Sequence, residues 1–584
     1  MPGLVPLVEA AFAPLFDQLR PGAPALVRVS QRADYQVDGA LPLAKALGRP
    51  PREVAEEVLA KAWEGDLAAL CEKAEVAGPG FINLTVSAEA MAAQLAVLRP
   101  GASGLGAPRP DRTLRVVVDY GGPNAAKQMH VGHLRSSIIG DAIVRMLEAV
   151  GHEVVRENHI GDWGANFGML VEHLVDLGED RAAHELAMGD LEGFYQAARA
   201  AYEADPGFAE RARARVVMLQ SGEPGTMALW RSLVDASVNH FDQDFHRLGV
   251  KLSRDDVVGE SYYNPMLDRV VSELSEAGLL VESDGALCVF PPGFANRDGA
   301  PLPLIVRNSA GGYTYAATDL AAVRDRTERL RADLVVYVVG LPQSQHLAMV
   351  FEVARMAGWL TRGEQLVHVG FGNVLGPDGK MFRTRQGGTV KLSELLAEAE
   401  ERARSVVVGR TGGAAQDLAG DVDEVVRAVG TGAIKYADLS TDRVRDYRFD
   451  WDRMLSLDGN TAPYIQYAHA RVLSIFRRAG EATRLAERSG DFLPPADPEE
   501  RELAKALLSF GEAFADAVDG FAPHKLCGYL FDLASQFTRF YEKCPVLNAP
   551  AADLVRSRLA LCAATGAVLA TGLDLLGIQA PERM

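Results

Sequence analysis

LRVVVDYGGPNAAKQMHVGHLR, residues 114–135, decides how the rest of this chain is read. Its first six residues are a β-branched run, and Gly121, Gly122 and Pro123 break it, so the stretch predicts a buried strand entering a loop. Apolar residues then recur at Val131, Leu134, Ile138, Ala142, Met146 and Val150, a helical spacing that Gly151 ends. His130 and His133 therefore stand at a helix N-terminus, where free backbone N–H groups and the positive end of the helix dipole favour phosphate oxygens. The two histidines share one face of the first turn, and Gly132 between them lets a bound group approach the backbone closely. Imidazoles donate hydrogen bonds to phosphate without adding a fixed charge, and Lys127 supplies one just upstream. Alone, H-x-x-H fits a metal pair or two ordinary helix-start histidines better. Joined to the strand, the glycine-rich loop, Lys127 and Arg135, it points to a nucleotide polyphosphate such as ATP.

At 584 residues, 48% hydrophobic and 24% charged, the chain is expected to hold several folded domains. Its five cysteines are scattered and form no C-x-x-C, which supports neither a disulfide framework nor a structural zinc site; no metal is assigned. Glu9 interrupts the first apolar stretch and no window approaches a charge-free span of membrane length, so a soluble cytoplasmic enzyme without a membrane partner is expected. The net charge of -18 argues against indiscriminate nucleic-acid binding and against DNA as a partner. A local basic track remains open: Arg471, Arg477, Arg478, Arg484 and Arg488 are opposed only by Glu481 and Glu487. That strip reads equally well as phosphate-facing or as a solvated helix face.

Residues 1–100 read as a small α/β module: an amphipathic helix, a turn-rich segment around RADYQVDG, a helix over residues 51–70, and the strand FINLTV. RPGASGLGAPRPDR, residues 99–112, has the composition of a linker. From 101 to 375, runs of buried-strand type (LRVVVD, DLVVYVVG, QLVHVGFGNVL) alternate with helices, the pattern of a parallel Rossmann-like sheet, with a mostly helical insertion at about 172–298. Residues 376–390 form a loop within a connecting region, 376–455, and helical periodicity from 456 to 584 predicts an all-α bundle.

HVGH at 130–133, NHIGDWG at 158–164, the basic loop at Lys380 and the ending GIQAPERM together resemble bacterial arginyl-tRNA synthetases over essentially the whole chain. HVGH by itself marks only the class I superfamily; PNxxKxxHVGHLRS followed by GDWG is far more specific. The resemblance implies ATP-dependent ligation of L-arginine to tRNA(Arg) through an arginyl-adenylate, by a monomer, with Mg²⁺ expected on the ATP phosphates. It also implies that activation requires bound tRNA. It makes 1–100 a module reading the tRNA D-loop, 101–375 the catalytic domain, 376–455 the signature-loop and stem-contact region, and 456–584 the anticodon-binding domain.

On the family's pattern, Lys127, His130, His133, Lys380 and Arg383 are the catalytic residues. Gly132, Met381 and Thr384 join Lys127 and the histidines around ATP. The second class I signature, KMSKS, reads Lys380-Met381-Phe382-Arg383-Thr384 here. Arg383 keeps the charge as a planar fork instead of a compact ammonium, and Lys127 occupies the position thought to compensate. Arginine would be held by Asp119, Asn124 and His130 at its backbone end, and by Tyr315, Asp319 and Gln343 around the guanidinium, with Asp319 as counter-charge. Phe81, Asn83, Tyr464, Tyr467, Tyr541 and Met584 match tRNA contacts.

Three other readings compete. A non-catalytic tRNA- or nucleotide-binding paralogue would have lost His130, His133 or the basic loop. A cysteinyl enzyme would need zinc-ligating cysteines, and a small nucleotidyltransferase would need neither terminal module.

Overall fold

Four parallel strands form the central sheet in the order Gln365–His368, Leu334–Tyr337, Arg115–Asp119, Glu153–Glu157. The structure is a computed structural model that describes residues 3–30, 32–99, 101–178, 190–382, 390–410, 422–480 and 492–584. Val116, Val117, Val118, Val335 and Val336 are fully buried, as strands covered on both faces require. Burying each such side chain contributes roughly 1.5–3 kcal/mol. The register aligns Asp119 with Tyr337 on one side and Glu157 on the other, and Tyr337 with His368, in one row at the carboxyl ends. The connection after Arg115–Asp119 runs to Glu153–Glu157 on one side and that after Leu334–Tyr337 runs to Gln365–His368 on the other, so the crevice between these two strands is the topological switch point where such sheets bind ligands.

The helix after the first strand runs Val131–Val150 and ends on Gly151 at φ 103°, as the spacing predicts. The edge strand Glu153–Glu157 is not foreseen by the hydrophobic runs; its glutamates at both ends and its half-exposed middle hide it. The long connection from Glu157 to Leu334 carries the helices Ala165–Leu177, Leu191–Ala204, Pro206–Gln220, Pro224–Leu248 and Leu267–Glu276. It also carries a three-stranded antiparallel sheet, Val281–Ser283, Ala286–Val289 and Leu304–Arg307, whose first two strands fall within the insertion expected to be mostly helical at about 172–298.

In the N-terminal module, four antiparallel strands lie in the order Val27–Val29, Tyr35–Val37, Phe81–Val86, Cys71–Ala77. The turn-rich RADYQVDG segment therefore contains a strand, and the helix expected over 51–70 is two, Pro51–Trp63 and Leu67–Leu70. The linker reading is also corrected. Residues Ala102–Leu105 form a short 3-10 turn, Leu105 and Ala107 are buried, and the backbone at Gly106 fits against Gly511, where a Cβ would lie 2.2 Å from the Gly106 carbonyl oxygen.

Among the described residues, five helices, Ala462–Arg478, Pro498–Leu508, Phe510–Asp519, Pro523–Lys543 and Ala552–Leu575, close the chain as a bundle. By length and composition Ala552–Leu575 could cross a bilayer, against the expectation of no such span, but 72% of its apolar window is buried against its neighbours. The N-terminal module docks on this bundle. Asp34 accepts from Arg501 at 2.6 Å and pairs with Lys505 at 3.0 Å, Arg501 also donates to the Val86 carbonyl, and Glu512 accepts from the Val5 N–H.

Candidate active site

The loop between strand and histidine helix is fixed at several points. Gly121 and Gly122 adopt left-handed φ of 91° and 59°; the Gly121 N–H donates to Ser136 Oγ, which donates on to the Val338 carbonyl across the crevice. Gly122 donates to Asn158 Oδ1 at 2.9 Å. The stretch NHIGDWG is zipped to PNAA: Ala125 donates to the Gly161 carbonyl, Gly161 donates to the Pro123 carbonyl, and a Cβ at Gly161 would lie 2.3 Å from Asn124 Oδ1. Asp162 in turn accepts from the Ser261 N–H and hydroxyl, while its carbonyl accepts from Trp230 Nε1 at 2.8 Å. The two motifs quoted from sequence thus form one support that also anchors the inserted helices.

His130 is the N-cap of its helix. Its Nδ1 accepts from the Gly132 N–H at 3.0 Å, and His133 Nδ1 accepts from the His130 N–H at 3.2 Å, a reciprocal capping box built from imidazoles. With Nδ1 of each ring occupied as acceptor, the proton of the neutral imidazole sits on Nε2. Burial lowers the pKa of both, with His130 and Lys127 adding to the effect at His133, which falls to about 3. Two neutral Nε2–H donors result, with ring centroids 4.0 Å apart. Gly132 has a first duty the sequence does not reveal: a Cβ there would lie 2.7 Å from the His130 ring.

Lys127 sits with its ammonium 4.6 Å from the Tyr195 ring centroid. Arg135 turns inward. It is 1% exposed, donates to both oxygens of Asp438, and lies against the Phe371 and Tyr447 rings. The backbone beyond the basic loop returns to the histidines: Val131 donates to the Val390 carbonyl at 3.0 Å and Leu392 to the Met129 carbonyl at 2.9 Å. Lys380 and Met381 are exposed at a turn closed by the Gly376 N–H on the Lys380 carbonyl. Arg383 and Thr384 lie outside the described residues, as do Glu481, Arg484, Glu487 and Arg488.

Beside the helix start, at the switch point, opens a cavity of about 570 Å³. Asp119, Gly132, Tyr315, Asp319 and Gln343 line it together, whereas Asn124, Lys127 and His130 stand outside that lining. Three further residues with imidazole or carboxyl side chains line it that sequence reasoning missed: His159, Glu260 and His346. His159 lies inside the quoted NHIGDWG, and His346 follows Gln343 by one helical turn; Glu260 carries no local signal. Asp119 is held by the fully buried Arg326 at 2.8 Å, which also binds Glu157 at 2.7 Å. Glu260 is pushed up to about 7 by burial first and then by Asp162 and Asp319. Asp319 is 2.5 Å from His346 Nε2. Three carboxylates on one cavity, one of them raised by burial first and then by neighbouring acidic groups, make a place for a cationic ligand.

The residues singled out for RNA fall into two environments. Tyr467 and Tyr541 share the Arg471 guanidinium, 4.8 and 5.5 Å from their ring centroids, and Arg478 donates to the Tyr541 hydroxyl. Tyr464 instead packs on Phe531 with its hydroxyl near Ser535 and Thr538. The terminal segment lies along the same helix, its Gln579, Pro581 and Glu582 carbonyls bound by Gln466, His469 and Arg477, and Met584 packs partly buried at its end. In the N-terminal sheet Phe81 is partly exposed, and Asn83 is 8% exposed with a buried Oδ1 that has no hydrogen-bond partner.

Residues 103–451 match the family described as tRNA synthetases class I (R), catalytic domain. The chain belongs to the arginyl-tRNA synthetases. The arginyl-tRNA synthetase N-terminal domain matches residues 7–86 and the DALR anticodon-binding domain residues 465–584. An arginine–tRNA ligase of Thermobifida fusca is 50% identical, covering 98% of this chain and 97% of its own length; one of Cronobacter sakazakii is 46% identical, covering 96% and 97%. The crystal structure of arginyl-tRNA synthetase from Plasmodium falciparum superposes with a TM-score of 0.84 at 30% identity, covering all of both chains. The solved structure of Thermus thermophilus arginyl-tRNA synthetase superposes with a TM-score of 0.81 at 28% identity, covering 99% of this chain and 100% of its own. Nothing in these likenesses favours a non-catalytic paralogue.

Proposed function

We propose that this arginyl-tRNA synthetase performs both steps of ATP-dependent arginine ligation at the histidine turn, with arginine in the acidic cavity and ATP across the first turn of the helix Val131–Val150. One observation carries the reading: two neutral Nε2–H donors at a helix N-terminus adjoin a cavity with three carboxylates. A carboxylate oxygen of arginine attacks the α-phosphorus in line, the bond to pyrophosphate breaks, and the adenylate forms. The enzyme's task there is to align the reactants and meet charge on phosphate oxygens.

His130 and His133 donate to those oxygens, Gly132 keeps the turn open, and Lys127 with Lys380 and Arg383 meets the pyrophosphate charge, Met381 and Thr384 flanking the nucleotide. The hold of Tyr195 on Lys127 is a cation–π contact of about 0.5–2 kcal/mol, which a polyphosphate outcompetes. Asp319, Tyr315 and Gln343 read the guanidinium; Asp119, Asn124 and His130 serve the backbone end. Mg²⁺ travels with the ATP phosphates. Among the described residues, the group with metal-type ligands is Asp497, Glu500 and Cys544, and Arg558 already binds its two carboxylates.

Tyr467, Tyr541 and Met584 present one face to the anticodon, with Tyr464 supporting it from within, and Phe81 with Asn83 faces the D-loop. Activation depends on tRNA through the helix Val422–Leu439, whose Asp438 grips Arg135 on the histidine helix. The enzyme works as a cytoplasmic monomer that does not bind DNA. The test is aminoacylation of total tRNA with each amino acid, and ATP–pyrophosphate exchange with and without tRNA. Charging with arginine alone, and exchange only with tRNA, is expected; charging with another amino acid overturns the substrate, and full exchange without tRNA overturns the coupling.

A further inference from the structure

Two helices start beside the acidic cavity. Tyr315–Glu328 carries Tyr315 and Asp319 one turn apart, and Ser344–Met356 carries His346 in its first turn. His346 Nε2 lies 2.5 Å from Asp319 Oδ2, and its ring meets the edge of the Tyr315 ring at a centroid distance of 4.7 Å and 61°. The His346 side chain is 15% exposed, against 27% for Asp319. One imidazole is therefore wedged between the two side chains of the neighbouring helix that border the cavity.

We propose that His346 is a positioning residue for amino-acid selection, bracing Asp319 so that its remaining oxygen faces the ligand; this rests on the reading of the cavity as the arginine site. A carboxylate accepts through both oxygens, so a donor on Oδ2 leaves Oδ1 and further lone-pair directions for a guanidinium. An imidazole Nε2–H supplies that donor to one oxygen only, where the fork of an arginine in its place could take both. The brace has work to do because Glu260 lines the same cavity and repels Asp319. Without it the carboxylate turns away from its neighbour and must be ordered again each time arginine enters.

The test compares His346→Phe, which keeps ring volume and removes the donor, with His346→Gln, which keeps a donor near the position of Nε2, and with Asp319→Asn. In aminoacylation assays His346→Phe is expected to raise the KM for arginine about 10- to 100-fold, the loss of one charge-assisted hydrogen bond, while kcat and the KM for ATP stay within about twofold. His346→Gln is expected to return the arginine KM to within about threefold of wild type. If Asp319→Asn raises the arginine KM and His346→Phe does not, or if Gln performs no better than Phe, the proposal is wrong. The same holds if all three constants worsen in proportion, because His346 is then only a strut between helices. If Asp319→Asn itself leaves the arginine KM unchanged, the pocket assignment fails before the His346 role is reached. Should the Phe variant not fold, NMR of nitrogen-labelled histidine in the wild-type enzyme decides. The His346 signal, assigned by its loss in the Gln variant, is expected to shift with L-arginine and not with ATP alone; no shift with arginine overturns the proposal.

Discussion

Val131, the first residue of the histidine helix, donates its N–H to the carbonyl of Val390 at 3.0 Å, so the far end of the basic loop is hydrogen-bonded directly to the turn that carries His130 and His133. Any displacement of that turn is passed to the loop through backbone. Gly132 is the residue on which the geometry of the turn depends. Gly132→Ala would place a Cβ 2.7 Å from the His130 ring and rotate it off its cap. Misplacing a donor by about 1 Å costs on the order of 100-fold. The expected outcome is a kcat about 100-fold lower with a thermal midpoint within about two degrees of wild type; a variant with normal kcat refutes the capping geometry as the working one.

Glu260 is expected to make arginine binding pH-dependent. Its carboxyl rises from 4.5 to about 7, by burial first and then by Asp162 and Asp319. The folded protein holds a proton that the unfolded chain has released, so this contribution to stability is complete below about 4.5 and is lost as pH rises through about 7. A guanidinium favours the ionised form. Arginine binding should therefore expel the proton, and the arginine KM should fall as pH rises through neutrality. Calorimetry in two buffers of different ionisation heat is expected to give different apparent enthalpies for wild type and equal ones for Glu260→Gln; equal heats in wild type would exclude the titration.

Arg135 and Asp438 form a buried pair, 1% and 0% exposed, between the histidine helix and the helix Val422–Leu439. Burial raises the Asp438 carboxyl in spite of the arginine beside it, so an isolated charge there is poorly tolerated. Arg135→Met is expected to cost about 3–5 kcal/mol, seen as an earlier thermal transition, and adding Asp438→Leu should recover much of the loss. An unshifted transition in the single variant would mean that the pair contributes little.

Tyr464 and Tyr467 differ in environment although three residues apart. Tyr467→Ala is expected to raise the KM for tRNA about 10- to 100-fold, the usual worth of one base stacked on an aromatic ring, with little change in thermal midpoint. Tyr464→Ala should instead lower the midpoint by opening a cavity next to Phe531. A reversed pattern would exchange the two assignments.

Local spacing carried much of this architecture. The histidine helix was legible to its final glycine because one face repeats at helical intervals and Gly151 stops it. The bundle was legible for the same reason. The edge strand Glu153–Glu157 was not, because an edge needs no unbroken apolar run, and Tyr35–Val37 is too short to outweigh the turn formers around it. At the site, Tyr315, Asp319 and Gln343 are placed by the family resemblance, and the cavity brings them together. Glu260 and His346 depend on tertiary proximity that no local pattern records. Arg135 looked like part of the phosphate site because it follows HVGH, yet its position on the helix turns it toward Asp438.

The Asp34 carboxylate sets a distance. It joins Arg501, 467 residues along the chain, and the neighbouring Lys505, and so locks the first module and the last bundle into a caliper whose two jaws come from opposite ends of the polypeptide. On the proposal that the N-terminal sheet meets the D-loop and the bundle the anticodon, such a frame would measure an RNA as well as read it: a molecule with the right bases and the wrong span would fit one jaw and miss the other. Removing the first 86 residues would then do more than delete one jaw. It would leave Arg501 facing water where a carboxylate and the Val86 carbonyl had held it, and the remaining bundle would lose its gauge.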